Sequence, residues 1–155
     1  MEAYKICLHK TTDYIMKRIF AIILLSSFIM GHAPWGQHNV YRQIHMLIMC
    51  TKKDENAFQY AKNLVSYFNN YLPTAKARVA RAPNVDRVIA LLETNQIPIA
   101  LFSYDFLDKA TKNDKQKADF FSKDTRVIFF FEKMVLIANK EFPSEKSTKV
   151  IKALI

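Results

Sequence analysis

Two short apolar runs, His45 to Cys50 (HMLIMC) and Ile97 to Phe102 (IPIALF), are separated by two amphipathic stretches. A strand reads as a continuous apolar run, without polar alternation, when helices cover both faces of its sheet. In the first amphipathic stretch Ala57, Phe58, Ala61, Leu64, Val65, Phe68 and Tyr71-Leu72 recur at three- and four-residue steps, while Lys52, Lys53, Lys62, Asn63 and Asn69 fall off the stripe. This is the period of a helix lying on a core, with Asp54 or Thr51 to cap its start and Pro73 to end it. In the second, Asn84 is placed as an N-cap, Val85, Val88, Ile89 and Leu92 form the buried stripe, and the helix ends near Asn95. Between the two helices Lys76 to Ala82 (KARVARA) alternates basic and small apolar residues, the pattern of a half-exposed strand. Pro98 is tolerated at the first positions of its strand. The order strand, helix, strand, helix, strand, with short connections, predicts an α/β fold with a mixed, mostly parallel sheet flanked by helices.

The second half departs from that rhythm. Between Asp105 and Asp124, Lys109, Lys112, Lys115, Lys117 and Lys123 interleave with Asp108, Asp114 and Asp119, which reads as a solvated loop with a short helix around Gln116 to Phe121. Arg126 to Asn139 (RVIFFFEKMVLIAN) is two apolar runs split by Glu132-Lys133, either a hairpin or two strands meeting at a bend. Pro143-Ser144-Glu145 opens a closing helix whose stripe is Val150, Ile151, Leu154 and Ile155.

Met16-Lys17-Arg18, the apolar run Ile19 to Gly31 and then His32-Ala33 follow the layout of a secretory signal peptide, so 1–33 is read as an upstream segment with a signal from Met16, and 34–155 as one folded lobe. The run is too short to cross the hydrocarbon core comfortably; an uncleaved amphipathic or anchoring helix is the alternative. An extracytoplasmic, periplasmic location follows from the signal. The chain is basic, with Lys+Arg 23 against Asp+Glu 14 and a net charge of +9. Residues 1–33 hold Lys5, Lys10, Lys17 and Arg18 against Glu2 and Asp13, so the excess belongs mostly to the folded part and selects anionic partners. Two Cys exclude a disulfide-stapled scaffold, a four-Cys zinc site and a CxxC pair. Cys50, inside an apolar run, is expected to be an inert buried thiol.

Ile44 to Asp105 runs as a strand, a helix ending YFNNYLPTAKARVA, and then RAPNVDRVIALLETNQIPIALFSYDFL. In this order it resembles a lobe of the type II periplasmic-binding fold, specifically the TAXI group of TRAP-transporter solute receptors. The tail Met134 to Ile155 is similar to the part in which such receptors return to the first lobe with a strand and a closing helix. The resemblance covers roughly two thirds of the chain. It implies a single periplasmic-binding-like lobe, an exported solute-binding role and a membrane transporter component as partner. Where such receptors often carry a glycine-rich loop after the first strand, this chain has Thr51-Lys52-Lys53-Asp54, and it supplies one lobe where they use two.

The residues themselves direct attention to the carboxyl ends of the strands, where open parallel sheets bind ligands. Three loops lie there: Thr51-Lys52-Lys53-Asp54, Arg81-Ala82-Pro83-Asn84 and Ser103-Tyr104-Asp105. The candidate ligand-binding set is therefore Thr51, Lys52, Lys53, Arg81, Asn84, Ser103, Tyr104 and Asp105. The first two loops open helices, whose N–H groups add to Lys52, Lys53 and Arg81 as a seat for a carboxylate or phosphate. Each residue also has a plain structural role: a cap for Asn84 and Asp105, solvated charge for the lysines, a surface ion pair for Arg81. Gly31 and Gly36 are the only glycines, which excludes both glycine-rich phosphate-loop types. His38, His45 and Cys50 lack ligand spacing, because His45 and Cys50 face opposite sides of a strand, so no metal is expected. Ser103 lacks a nucleophile-elbow sequence and Cys50 a nearby base, so no enzyme and no cofactor is expected. Nucleic acid is disfavoured, since no recognised module is present. The reading is an exported binding protein for a small anionic solute. Its alternative is an interaction module that keeps the fold and docks a membrane or protein partner, with a homodimer as one form of association built on the run Val127 to Phe131.

Overall fold

The structure is a computed structural model that describes Met16, residues 18–20, Ile22 and residues 35–155. The upstream segment and most of the signal reading, Met16 to Ala33, lie outside the described residues; the few described there are helical. Among the described residues no helix is long and apolar enough to cross a membrane. The chain divides into two compact units, Met1–His38 and Asn39–Ile155, and the sheet belongs to the second.

The elements run α1 (Trp35–Ile44), β1 (Leu47–Thr51), α2 (Glu55–Tyr71), a 3-10 turn (Pro73–Ala75), β2 (Arg78–Ala82), α3 (Val85–Glu93) and β3 (Ile99–Ser103). They continue with α4 (Tyr104–Lys112), α5 (Lys115–Lys123), β4 (Thr125–Phe131), β5 (Met134–Asn139) and α6 (Ser144–Leu154). The strands form one five-stranded sheet in the order β2-β1-β3-β5-β4. β1 runs parallel to β2, from Leu47 opposite Arg78 to Thr51 opposite Ala82, and parallel to β3 at Ile48 and Met49. β5 is antiparallel to β3 and β4 antiparallel to β5.

The sheet is therefore α/β and mixed, with helices on both faces, but it is not mostly parallel as expected: two of its four pairings are antiparallel. The cause is the two-residue link Glu132-Lys133. A link that short can join only antiparallel strands, and Glu132 takes a left-handed φ of 48° to close it without an Asn or Gly. The hairpin alternative is thus the one found.

Alternation along β1 explains the two-sided core. Ile48 and Cys50 face one side, where Ala57, Ala61, Leu64 and Phe68 of α2 and Val150 of α6 cover them. Leu47 and Met49 face the other, under Val85, Val88 and Leu92 of α3 and Phe120 of α5. Phe68 and Phe102 are fully buried, one on each side; burying such a ring is worth about 3 kcal/mol.

The caps form as read for Asn84, which accepts from Arg87 N–H at 3.0 Å, and for Asp54, which accepts from Ala57 N–H at 3.1 Å. The stretch 105–124 differs from its reading. It is two full helices rather than a loop with a short helix, because Asp114 caps α5 through Lys117 N–H. Phe106, Leu107, Ala110 and Phe121 also pack on the second core. Lys76 adopts φ 45° and lies before β2. Helix α1 has no counterpart in the sequence reading.

Candidate functional site

At the carboxyl ends of β1 and β3 the residues singled out from sequence form a closed polar staple. Asp54 is 4% exposed, and its carboxylate accepts from the Ser103 N–H at 2.7 Å, the Ser103 hydroxyl at 3.1 Å and the Ala57 N–H. Thr51 is fully buried beside it in sequence, its hydroxyl without a hydrogen-bond partner among the described residues. Arg81 donates to Glu55 at 2.7 Å and to the Lys52 carbonyl at 3.3 Å, and its guanidinium stands over the Phe58 ring at 4.0 Å. The hydrogen bond from Gln59, with Arg81 adding to it, holds the Glu55 carboxyl below the usual carboxylate range.

Arg81 is thus already partnered on three sides, and what it makes is the surface ion pair. Lys52 and Lys53 are exposed, Asn84 is occupied with its cap, and Asp105 is exposed in the first turn of α4. Tyr104 gives its N–H to the Lys133 carbonyl at 2.7 Å and sets its ring edge-on to Phe130. The structure brings Thr51, Asp54 and Ser103 together at the strand ends, with Arg81 against the Lys52 backbone. It leaves Asn84 and Asp105 outside that set.

Cys50, next to Thr51 in sequence, belongs to the core. Burial first, then the negative charge of Asp54, pushes its thiol up to about 12, against a smaller opposing pull from Arg81. A thiol so held is neutral at physiological pH and unreactive. No group of three His, Cys, Asp or Glu among the described residues could hold a metal ion.

An open groove lies at the opposite end of the sheet. Its volume is about 740 Å³, within the range of small-molecule sites. It is bounded by the end of α1 (Arg42, Gln43, Ile44), the approach to β1 (His45, Met46) and the 3-10 turn with Leu72. The α3–β3 link (Asn95 to Pro98), the segment after β5 (Glu141, Phe142, Pro143) and the first turns of α6 (Lys146, Lys149, Val150) complete it.

Local sequence sets this geometry. Asn95, at φ 52°, and Gln96 close α3 by donating to the Leu92 and Leu91 carbonyls at 3.0 and 2.9 Å, the paired bonds of a Schellman turn. That turn places both residues in the lining of the groove. Asn139, buried at the end of β5, fixes the facing wall: its amide donates to the Leu92 carbonyl and its oxygen accepts from Glu141 N–H at 2.7 Å.

Most polar side chains of the groove are mutually engaged. Arg42 donates to Gln96, Asn95 to Glu141, and Lys149 pairs with Glu145 at 2.8 Å. His45 stacks on Tyr41. Lys146 makes no hydrogen bond or ion pair among the described residues and feels only the charge of its neighbour Glu145. With Lys149 taken up by Glu145, Arg42 and Lys146 against Glu141 leave the lining positive.

None of these lining residues belongs to the candidate ligand-binding set read from the sequence. The signal that points to them is the hairpin. An antiparallel β5 carries its carboxyl end, and the loop that follows, to the end of the sheet where the parallel strands begin. Comparison with protein-family models, curated proteins and solved structures gives no match.

Proposed function

We propose that this chain is a non-enzymatic binding protein that takes a small anionic solute into the groove at the amino ends of β1 and β3. The observation that carries the reading is the groove itself, about 740 Å³, with Arg42 and Lys146 in its lining and in no ion pair among the described residues. At the other end of the sheet the Asp54 carboxylate is closed on Ser103 and Ala57, and Arg81 is bound to Glu55. The resemblance to TAXI-type receptors supplies the wider setting: an exported single lobe of periplasmic-binding type that hands its solute to a membrane transporter component.

Calorimetric titration with small carboxylates and inorganic phosphate tests this. Binding that is lost in Lys146→Glu and kept in the Lys52→Glu, Lys53→Glu double variant supports it. No heat from any anion, or binding lost only in the second variant, overturns it.

One observation favours a second reading as an interaction module. Val127 and Phe130 are 61% and 55% exposed on β4, an edge strand, and Tyr104 of α4, edge-on to Phe130, is 53% exposed. Val127 and Phe130 stand opposite Ile137 and Val135, on the face carrying α3 to α5, which leaves them bare. The only charge in β4, Arg126, turns to the Phe142 carbonyl and the Ser147 hydroxyl. Edges are normally blunted by charge, as β2 is by Arg78 and Arg81, so a second copy pairing on β4 meets no like charge. Sedimentation at micromolar concentration should then show a dimer that Phe130→Lys dissociates, and a strictly monomeric wild type removes this reading.

A further inference from the structure

Away from the groove, the free edge of β2 forms a second surface, and we infer that it takes up an acidic segment of a partner protein in extended form, as an added strand. β2 ends the sheet and pairs with β1 alone. Its bonds to β1 use alternate residues, since the Arg78 N–H donates to the Met46 carbonyl at 3.0 Å and the Ala82 carbonyl accepts from the Lys52 N–H at 2.8 Å. The N–H and C=O groups of Val79 and Arg81 therefore point out of the sheet, and no loop or helix backbone bonds to them among the described residues. An extended peptide completes such a row of open donors and acceptors. The open stretch is short. It stops at Ala77, whose carbonyl accepts from the Asn69 side chain at 3.4 Å, and at Pro83, which has no N–H.

Charge selects the partner. Lys76, Arg78 and Arg87 are exposed, and their side chains form no hydrogen bond or ion pair among the described residues. Lys76 lies just ahead of β2, Arg78 opens it, and Arg87 is in the first turn of α3, the helix that follows it. Asp86 is turned to Lys117 of α5 at 3.0 Å and Glu55 to Arg81 at 2.7 Å, so neither acid neutralises these three cations. Like charge keeps a second copy of β2 off this edge, whereas a strand bearing Glu or Asp is attracted to the same place. Nucleic acid matches the charge but not the row of N–H and C=O groups. An acidic peptide uses both.

The test is titration and amide hydrogen exchange on the full chain with a capped peptide alternating Glu and Val, its counterpart alternating Lys and Val, and an oligothymidylate. The Glu peptide should bind, slow the exchange of the Val79 and Arg81 amides, and bind more weakly as salt is added. The Lys peptide should not bind. Arg78→Glu combined with Arg87→Glu, two exposed changes outside the core, should weaken the Glu peptide about tenfold, because each reversal replaces an attraction with a repulsion. Unchanged affinity in that variant, or no binding of the Glu peptide, would overturn the inference. So would protection of Val127 to Phe131 on β4 in place of Val79 and Arg81, or displacement of the peptide by an equal concentration of oligothymidylate.

Discussion

The carboxylate of Asp54 holds the end of β3 through Ser103, taking its backbone N–H at 2.7 Å and its hydroxyl at 3.1 Å on one oxygen, while the other oxygen caps α2. Two neighbouring parallel strands are thereby fixed to each other at their carboxyl ends by one buried side chain. Asp54→Ala removes a helix cap, worth about 1 kcal/mol, and leaves the buried Ser103 N–H without a partner, at about 1–3 kcal/mol. We expect a loss of about 3 kcal/mol in urea denaturation. Asp54→Asn should lose less, since its one carbonyl oxygen can serve either Ala57 or Ser103. A cost below about 1 kcal/mol for Asp54→Ala would show that the staple is not structural.

Much of this architecture is legible in the sequence, and the reason is periodicity. Ala57, Ala61, Leu64 and Phe68 declare one buried stripe, and the runs ending at Cys50 and Phe102 declare strands covered on both faces. The helices at 104–123 were hidden by their charge. Lys and Asp at nearly every other position mask the few apolar anchors, Phe106, Leu107 and Phe120, that dock the segment. The groove was hidden for a different reason. Its walls come from four separate connections, and only the antiparallel placement of β5, a tertiary fact, brings Asn139 and Glu141 beside Asn95 and Gln96.

Arg81 is 29% exposed at its side chain and bonded to Glu55, itself 59% exposed. Exposed pairs of this kind contribute about 0.2–1 kcal/mol. Arg81→Ala should therefore shift the denaturation midpoint slightly and leave anion affinity untouched. A tenfold loss of anion affinity would return the site to the carboxyl ends of the strands.

Cys50, with its thiol raised from 9.0 to about 12 chiefly by burial, should resist iodoacetamide at pH 8 in the native protein and react fully in urea. The sign of the linkage follows. Between pH 9 and 12 the unfolded chain releases this proton and the folded chain keeps it, so stability falls as pH rises through that window. Cys50→Ala should flatten that alkaline slope, and fast labelling of native protein at pH 8 would refute the buried, protonated state.

At the other end of the pH scale, hydrogen bonds from the Lys117 ammonium and backbone hold the Asp114 carboxyl below its ordinary range. Its stabilisation is complete above the unfolded value and is lost as the pH falls through the folded one. Asp114→Asn should accordingly reduce the acid dependence of α5 unfolding, read as amide exchange at Lys117 and Ala118. An unchanged acid profile would remove this cap from the account.

The two ends of the sheet make the decisive comparison, and amide chemical-shift mapping reads both at once. Titrating a small carboxylate such as acetate, or inorganic phosphate, into the isotopically labelled full chain should move the resonances of Asn95, Gln96, Glu141 and Lys146, and leave those of Lys52, Lys53, Arg81 and Ser103 in place. Shifts confined to the latter set, at the carboxyl ends of β1, β2 and β3, would contradict the assignment of the groove as the binding site.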